Sequence, residues 1–302
     1  FAAFYAGLRA ARTKIIDSLP QLGGQLMALY PDKYIYDIPG FPKVLAKEFV
    51  DLQVEQAMKF SPTVCLDEKV THVQPLENGL IELRSERGDV HLSRTVIVAA
   101  GVGAFVPRTL DIPDLQRLEG KGVHYFVKDL ERFRGQRVLV VGGGDTAIQE
   151  ALFLTHFANK VTVVHRRDRL RAAGLLQKRA FAEGKIEFIW DSVLEEITGS
   201  EFVTGAKLKN VRTGEKSEIA ADGAFIFVGR LPHTEIFKGL VKMDKTGFIV
   251  TDENMSTDAP GIFAAGDCRD KPFRQVVTAA GDGANAVYSA ELYIADLKGQ
   301  TY

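Results

Sequence analysis

A glycine-rich turn between an apolar strand pattern and a helix pattern constrains the fold of this chain more than any other feature. It lies in the segment VLVVGGGDTAIQEALFL, residues 138–154. Gly142, Gly144 and Ala147 fit G-x-G-x-x-A, in which the first glycine makes a tight turn, the second lets a pyrophosphate approach the backbone, and the small third residue lets the helix pack on the strand. Because another strand pattern follows at residues 160–165, the segment predicts a βαβ unit that binds a dinucleotide.

The residues at the end of that second strand indicate which dinucleotide is bound. In an NAD site, an acidic residue stands there and accepts a hydrogen bond from the ribose 2′-hydroxyl. This chain has HRRDRLR at residues 165–171 instead, and Arg166, Arg167 and Arg171 can donate paired hydrogen bonds to a 2′-phosphate. A solvated basic surface at a helix start is the alternative interpretation. The position after the second strand favours NADP(H).

Strand and helix patterns alternate along most of the chain, which predicts an α/β fold with parallel sheets and right-handed crossovers. The predicted strands are residues 13–17, 63–65, 70–75, 80–85, 89–92, 95–99, 137–141, 160–165, 185–190, 223–229, 248–250 and 261–267, with an antiparallel excursion at 197–211 and 216–219. The predicted helices are residues 1–12, 46–60, 146–157, 175–183 and 275–297. Residues 19–42 are expected to be irregular because they are rich in Gly, Pro and Tyr.

A second nucleotide site is indicated near the start of the chain. Asp17 ends the strand TKIID after a helix of small residues, which is the second half of another dinucleotide fingerprint with an acid for a ribose. A plain loop acid is the alternative interpretation. The buried strands TVIVAAG and GIFAAGD favour the site, because ligands of such sheets lie outside the carboxyl ends of the strands. Asp267, at the second of these ends, can bind the hydroxyl groups of a polyol.

Composition excludes several classes of function. The chain has 302 residues, which suggests about two domains. Its net charge of −1 gives no indication of a polyanionic partner such as nucleic acid, although a local basic patch stays open. No apolar run approaches the roughly 20 residues of a membrane span, and no signal peptide is visible. The two cysteines, Cys65 and Cys268, are far apart, and the six histidines show no ligand spacing, so no metal site is predicted.

Together these motifs resemble the thioredoxin-reductase-like flavoproteins, which include the low-molecular-weight thioredoxin reductases and the thioredoxin-reductase-like ferredoxin–NADP reductases. The matching segments span nearly the whole chain: 18–26, 30–43, 99–108, 142–147, 165–172, 227–234, 261–267 and 274–287. The resemblance implies two Rossmann-like three-layer (ββα) nucleotide-binding domains. An NADPH-binding domain at 108–231 is inserted into a discontinuous FAD-binding domain at 1–107 and 232–302. The resemblance also implies a cytoplasmic homodimer and about twenty residues before residue 1, carrying a first strand and its GxGxxG turn.

The resemblance also assigns residues to the two cofactors. The implied FAD contacts are Asp17 at the adenosine ribose, Val70 at the adenine, Asp267 at the ribityl chain or pyrophosphate, Gln275 and Val276 at the flavin O2, and Gln25, Tyr30 and Phe105 near the flavin. Gly24, Ala100 and Gly101 are further implied FAD contacts. The implied NADPH contacts are Gly142, Gly144, Asp145, Thr146, Ala147, His165, Arg166, Arg167, Arg171 and Gly229. Tyr34 and Tyr36 are expected to pack within their loop.

One difference within the resembled group decides the expected chemistry. A thioredoxin reductase needs a CxxC pair in the inserted domain, but the corresponding segment, residues 122–138, contains no cysteine. No catalytic side chain is therefore expected, and the flavin itself carries the chemistry. The first half of the chain is closer to the ferredoxin–NADP reductases. The second half is closer to the thioredoxin reductases. It ends without the C-terminal extension that covers the flavin in the ferredoxin–NADP reductases.

The expected function is an FAD-dependent NADPH oxidoreductase. A hydride passes from nicotinamide C4 to flavin N5, and electrons pass on to ferredoxin or flavodoxin, or in the reverse direction. The inserted domain is expected to rotate about connectors at 107–113 and 229–233. Two alternatives stay open on the sequence alone: a relative of thioredoxin reductase that acts on a disulfide by another route, and a flavin- and NADP-binding redox sensor without catalysis.

Overall fold

The computed structural model describes residues 1–102, 110–112, 114–126, 130–229 and 232–300. Phe105, one of the residues assigned to the flavin, lies outside the described residues, as do parts of both expected connectors. The chain divides into two compact units. The discontinuous unit comprises Phe1–Val106 and Leu231–Tyr302, and the inserted unit comprises Pro107–Arg230. The expectation of an α/β fold of the thioredoxin-reductase-like type is confirmed, whereas the cofactor of each unit stays a prediction.

Short strands and helices follow one another along the whole of the described chain. In chain order they are α1 (Ala2–Leu8), β1 (Lys14–Ile16), α2 (Gly24–Leu29), β2 (Tyr34–Ile35), β3 (Val44–Leu45), α3 (Ala46–Met58), β4 (Thr63–Cys65), β5 (Val70–Pro75), β6 (Ile81–Ser85), β7 (Val90–Ser93), β8 (Val96–Val98), β9 (Val123–His124), β10 (Arg137–Val141), α4 (Asp145–Leu154), β11 (Lys160–Val164), α5 (Gly174–Ala182), β12 (Ile186–Ile189), β13 (Ser192–Thr198), β14 (Gly205–Asn210), β15 (Lys216–Ala220), β16 (Gly223–Ile226), β17 (Ile262–Ala264) and α6 (Val276–Leu297). Short 3₁₀ helices cover Leu130–Phe133, Glu235–Phe237 and Gly266–Cys268.

The inserted unit is built on a parallel sheet of five strands in the order β12-β11-β10-β16-β9. Its central strand β10 is apolar on both faces, as expected for a strand covered on both sides. Val138 and Val140 pack with α4 on one face, whereas Leu139 and Val141 pack towards the antiparallel sheet β13-β14-β15 on the other. The result is a helix layer, a parallel sheet and a second sheet, which is the predicted three-layer arrangement.

The discontinuous unit repeats this layering on shorter strands. Strand β8 pairs with β17 and β1 pairs with β4, both in parallel. Ile262 and Ala264 of β17 pack against the antiparallel sheet β5-β6-β7, while Phe263 packs towards α6 beside Ala286 and Ala290. None of the helices in the described parts of the chain is both long and apolar enough to cross a bilayer.

The structure differs from the sequence-based expectation in several places, among them strand β9, which the sequence patterns do not predict. Residues 248–250 do not form a strand, because only Ile249 makes bridges, with Met243 and Arg269. The segment expected to be irregular contains the two-residue strands β2 and β3 and the six-residue helix α2, which starts after Gly23 in a left-handed conformation. Elements this short show no detectable hydrophobic periodicity in the sequence. A glycine at this position suggests an interruption of secondary structure and does not indicate the start of a helix.

Candidate nucleotide-binding sites

The glycine turn of the inserted unit leads directly from β10 into α4. Gly142 has a φ of 149°, and a β-carbon there would lie 2.5 Å from the carbonyl oxygen of Phe227. Ala147 is buried in the first turn of α4, where a larger side chain would push the helix away from the strand. Gly144 is the N-cap of α4, and no side chain caps the helix. The first N–H groups of α4 are therefore available to an anion, as the sequence pattern predicts.

The middle glycine of the turn has a role that the sequence pattern did not reveal. A β-carbon on Gly143 would lie 2.4 Å from Nδ1 of His165. His165 follows β11 and is only 6% exposed, and its buried ring packs against the glycine turn at Gly143. Within the described residues its Nε2 atom has no hydrogen-bond partner. Burial and the neighbouring cations of Arg171, Arg166 and Arg167 lower the pKa of His165, which keeps the ring neutral.

The arginine-rich segment after β11 and the residues that follow it are attached to the glycine turn and the start of α4 by hydrogen bonds from backbone N–H groups. The Arg171 N–H donates to the Gly143 carbonyl at 2.8 Å, and the Ala173 N–H donates to the Asp145 carboxylate at 2.7 Å. The Nη2 atom of Arg171 lies 4.0 Å from the position that a β-carbon of Gly144 would occupy. The turn and the arginines therefore form one site.

The arginines of this segment are available to a ligand. Arg166, Arg167, Arg169 and Arg171 are exposed, and none of them makes an ion pair with another described residue. Four such guanidinium groups beside a helix N-terminus form a concentrated positive field, which suits a phosphate ester. Of the other predicted residues, Thr146 lies half-buried in the first turn of α4, and Gly229 is exposed, with a φ of 115°, after β16.

The discontinuous unit brings the predicted acid Asp17 to the end of β1. The Asp17 N–H donates to the Cys65 carbonyl at 2.9 Å, which joins the ends of β1 and β4. Its carboxylate accepts the Leu19 N–H at 3.0 Å. Burial raises the pKa of Asp17, and the hydrogen bonds from Leu19 and Ser18 oppose this rise. The carboxylate thus orders the loop and keeps the capacity to accept a further hydrogen bond from a sugar hydroxyl.

Asp267, Gln25 and Gly101 converge from three different elements. Asp267 lies after β17 and forms a side-chain hydrogen bond with Gln25 in the first turn of α2. A β-carbon on Gly101, after β8, would lie 3.9 Å from the amide nitrogen of Gln25. The Oδ1 atom of Asp267 is buried without a hydrogen-bond partner among the described residues, and burial raises the pKa of this carboxyl group. A buried acceptor without a partner is rare in proteins, and a bound polyol would satisfy it.

The remaining predicted FAD residues lie at the ends of several elements of the discontinuous unit. Ala100 follows β8, Val70 begins β5, and Gly24 begins α2 with a φ of 54°. Tyr30 ends α2, and the Lys33 ammonium lies 4.5 Å from the centre of its ring. Gln275 caps α6 in a capping box with Thr278, and Val276 is the first helical residue. Tyr34 and Tyr36 are largely exposed; their ring centres lie 6.4 Å apart, and the Lys43 ammonium lies 4.9 Å from the centre of the Tyr34 ring, so their contacts are within the loop.

A charge network that the sequence patterns did not predict supports the Asp267 loop. Asp282 on α6 accepts the Gly266 N–H at 3.0 Å and binds Arg269 at 2.9 Å and Lys271 at 2.8 Å. These side chains are about nine-tenths buried, so the network is rigidly held. Asp282 lies within a long helix pattern, where an acidic residue usually faces solvent, and no local sequence signal marks it as a partner of the loop.

Neither cysteine belongs to a reactive pair. Cys268 is fully buried and its thiol donates to the Val98 and Ala265 carbonyls; burial raises its pKa to about 11. Burial and the nearby Glu68 raise the pKa of Cys65 as well. Across the described residues, no group of three or more His, Cys, Asp or Glu side chains is arranged to hold a metal ion.

Comparison with known proteins identifies the family of this chain. The profile of the pyridine nucleotide-disulphide oxidoreductases matches residues 2–283. A ferredoxin–NADP reductase of Geobacillus thermodenitrificans is 42% identical over 297 residues, which cover 97% of this chain and 89% of the relative. Ferredoxin–NADP reductase 2 of Oceanobacillus iheyensis is 40% identical over 296 residues, which cover 97% of this chain and 90% of the relative. A crystal structure of Lactococcus lactis thioredoxin reductase (FR conformation) is 38% identical and superimposes with a TM-score of 0.89, covering 98% of this chain and 95% of that chain.

These relatives confirm the resemblance to thioredoxin-reductase-like flavoproteins, the use of FAD and NADP(H), and the assignment as an oxidoreductase. The positions of individual site residues and the partner stay predictions. With most of its length matched by one family profile and by relatives of about 40% identity, the chain belongs to the pyridine nucleotide-disulphide oxidoreductase family.

Proposed function

We propose that this chain is an NADPH-dependent FAD oxidoreductase that exchanges electrons with ferredoxin or flavodoxin. The observation that carries this choice is the absence of any cysteine from residues 122–138, because a disulfide reductase of this type needs a thiol pair there. The relatives of about 42% and 40% identity that bear the name ferredoxin–NADP reductase support the same choice.

The inserted unit supplies the NADPH site in this proposal. The N–H groups at the start of α4 would hold the pyrophosphate, because Gly142 and Gly144 leave the backbone open there. Arg166, Arg167 and Arg171 would bind the 2′-phosphate, since all three are exposed and make no ion pairs with described residues. Asp145 would act indirectly, because its carboxylate already holds the Ala173 N–H and so fixes the arginine segment.

The discontinuous unit supplies the FAD site. Asp17 would accept a hydrogen bond from the adenosine ribose, and the unpartnered Oδ1 of Asp267 would accept one from a hydroxyl of the ribityl chain. Gln25 would orient the Asp267 carboxylate, to which it is already hydrogen-bonded. When bound, FAD supplies the redox chemistry, accepting a hydride from NADPH and delivering single electrons to a carrier protein. The residues of the chain would bind and orient the cofactor.

The experiment that tests the proposal is an anaerobic titration of the purified flavoprotein with NADPH, followed by visible spectroscopy. We expect loss of the oxidised flavin absorbance with NADPH and a weaker response to NADH. Reduced ferredoxin or flavodoxin should then form when the carrier is added. A protein that takes up no flavin contradicts the proposal, and so does one that binds both nucleotides without reduction, which is the behaviour of a sensor. Electron delivery to thioredoxin alone would instead identify an unusual disulfide reductase.

A cytoplasmic homodimer is part of the same proposal, and the resemblance to the family is its support. Light scattering coupled to size-exclusion chromatography tests the assembly: the expected mass is twice the 33.2 kDa of one chain. A mass of one chain at micromolar concentration would contradict it.

A further inference from the structure

The one acidic residue within the arginine-rich segment is bound by a basic residue from outside it. Asp168 lies between Arg167 and Arg169 in the sequence HRRDRLR. Its carboxylate binds Nη2 of Arg212 at 2.7 Å, and Arg212 lies in the turn between β14 and β15. Among the described residues, the arginines of the segment itself form no ion pair with an acidic side chain. The aspartate is thus in direct contact with the distant arginine, and of its four basic neighbours Arg169 acts on it through its charge only.

Arg212 is held in place from both sides. Its Nε atom binds Asp191 at 2.9 Å, and Asp191 is largely buried. The side chain of Asn210 accepts the backbone N–H groups of Arg212 and Thr213, both at 2.9 Å, which fixes the turn. An arginine whose guanidinium bridges two carboxylates loses less side-chain freedom per contact than an isolated surface pair.

The same residues connect this turn to the arginine-rich segment through the backbone. The Asp191 N–H donates to the Arg167 carbonyl at 3.3 Å, and the Val211 N–H donates to the Asp191 carbonyl at 2.6 Å. The Ser192 N–H donates to the His165 carbonyl at 3.0 Å. The β14–β15 turn, Asp191 and the segment 165–171 therefore form one hydrogen-bonded assembly inside the inserted unit.

We infer that Arg212 is a positioning residue for NADPH selectivity: it holds the Asp168 carboxylate away from Arg166, Arg167 and Arg171, so that these stay free for the 2′-phosphate. Without Arg212, Asp168 would pair with one of the neighbouring arginines and would repel the 2′-phosphate. Arg212 itself need not touch the nucleotide. This inference rests on the proposed function, because it presupposes that the segment binds NADPH.

The test measures the dissociation constants of NADPH and NADH for the flavoprotein and three variants. Arg212→Ala should lower the NADPH selectivity, the ratio of the two constants, by about two- to fivefold, the range open to an exposed ion pair. This loss should come from weaker NADPH binding, with NADH binding unchanged, and should shrink at high salt. Arg212→Ala combined with Asp168→Asn should restore the selectivity, because the carboxylate that competes for the arginines is gone. Asp168→Asn alone should keep it.

Arg134→Ala is the matched control, because Arg134 is an exposed arginine of the same unit that binds Glu131 through two hydrogen bonds of 2.7 Å. It should leave the selectivity as it is. The inference is overturned if Arg212→Ala weakens both nucleotides equally, as general destabilisation would, or if the double variant stays as unselective as the single one. A parent protein without any preference for NADPH would instead refute the nucleotide assignment of the proposed function, a result distinct from either of these.

Discussion

The imidazole ring of His165 lies against the α-carbon of Gly143, where a β-carbon would stand 2.4 Å from Nδ1. The Gly143→Ala variant must therefore shift either the ring or the glycine turn. Because the ring is buried, we expect a loss of about 1–3 kcal/mol in the free energy of unfolding and weaker binding of NADP⁺. Thermal unfolding and calorimetric titration with NADP⁺ measure the two effects.

Two variants separate this steric effect from any general sensitivity of the turn. Gly144→Ala should be milder in its effect on the free energy of unfolding, because the nearest atom, Nη2 of Arg171, lies 4.0 Å away. It should still weaken NADP⁺ binding, because Gly144 leaves the backbone open to the pyrophosphate. Combining Gly143→Ala with His165→Ala should recover part of the NADP⁺ affinity, since the alanine leaves room for the methyl group. Equal affinities in all variants would show that the contact between Gly143 and His165 does not shape the turn.

The parts that sequence reasoning predicts well are those in which the local pattern and the tertiary environment agree. Strand β10 is covered on both faces, so an uninterrupted run of apolar residues marks it as a strand in the sequence. Gly142 is recognisable because the tight turn requires a positive φ at this residue, which favours glycine. The pairing of Asp168 with Arg212 could not be predicted in this way. Forty-four residues separate the two, and each has nearer residues of opposite charge in the sequence. Only the folded sheet brings them together.

The two cysteines should be dispensable for electron transfer if the flavin passes electrons directly to the carrier. Burial raises the pKa of Cys268 to about 11, so its thiol is almost entirely protonated at neutral pH and a poor nucleophile. The variant Cys65→Ala/Cys268→Ala should therefore keep its rate of NADPH-dependent ferredoxin reduction. A stability loss of about 1 kcal/mol is expected from the small cavity at position 268. Loss of the rate, in a double variant that still binds FAD and is reduced by NADPH, would point to a sulfur relay.

The contact between Glu68 and His91 should make the stability of the protein depend on pH at the acidic end. Nε2 of His91 lies 2.5 Å from the Glu68 carboxylate, and this hydrogen bond lowers the pKa of Glu68 below the usual 4.5. A carboxylate with a lowered pKa stabilises the folded state above its ordinary pKa, and this stabilisation is lost as the pH falls through the lowered value. Urea unfolding between about pH 3 and 6 should therefore show a shallower acidic decline for Glu68→Gln than for the parent.

The exposed Glu86, on the turn that follows β6, provides the control for this measurement. Glu86→Gln should keep the acidic decline of the parent, because no described residue forms an ion pair with Glu86. If Glu68→Gln and Glu86→Gln decline alike, the contact with His91 does not contribute to acid stability.

Because the buried Oδ1 atom of Asp267 has no partner among the described residues, we expect Asp267→Asn to raise the stability of the flavin-free protein and to weaken FAD binding. Burial raises the pKa of Asp267, so its ionised form destabilises the flavin-free protein, and this cost grows as the pH rises above the usual 3.8 towards the raised value. Asp267→Asn should thus stabilise the flavin-free protein at neutral pH. The same change should weaken FAD binding by about tenfold, because a charged acceptor for a hydroxyl group is replaced by a neutral one. Thermal unfolding without flavin and fluorescence titration with FAD measure the two effects. Asp270→Asn, at an exposed position of the same loop, should change neither quantity. A parallel loss of stability and affinity in Asp267→Asn would show that the carboxylate is a structural group of the loop and not a ligand of the polyol.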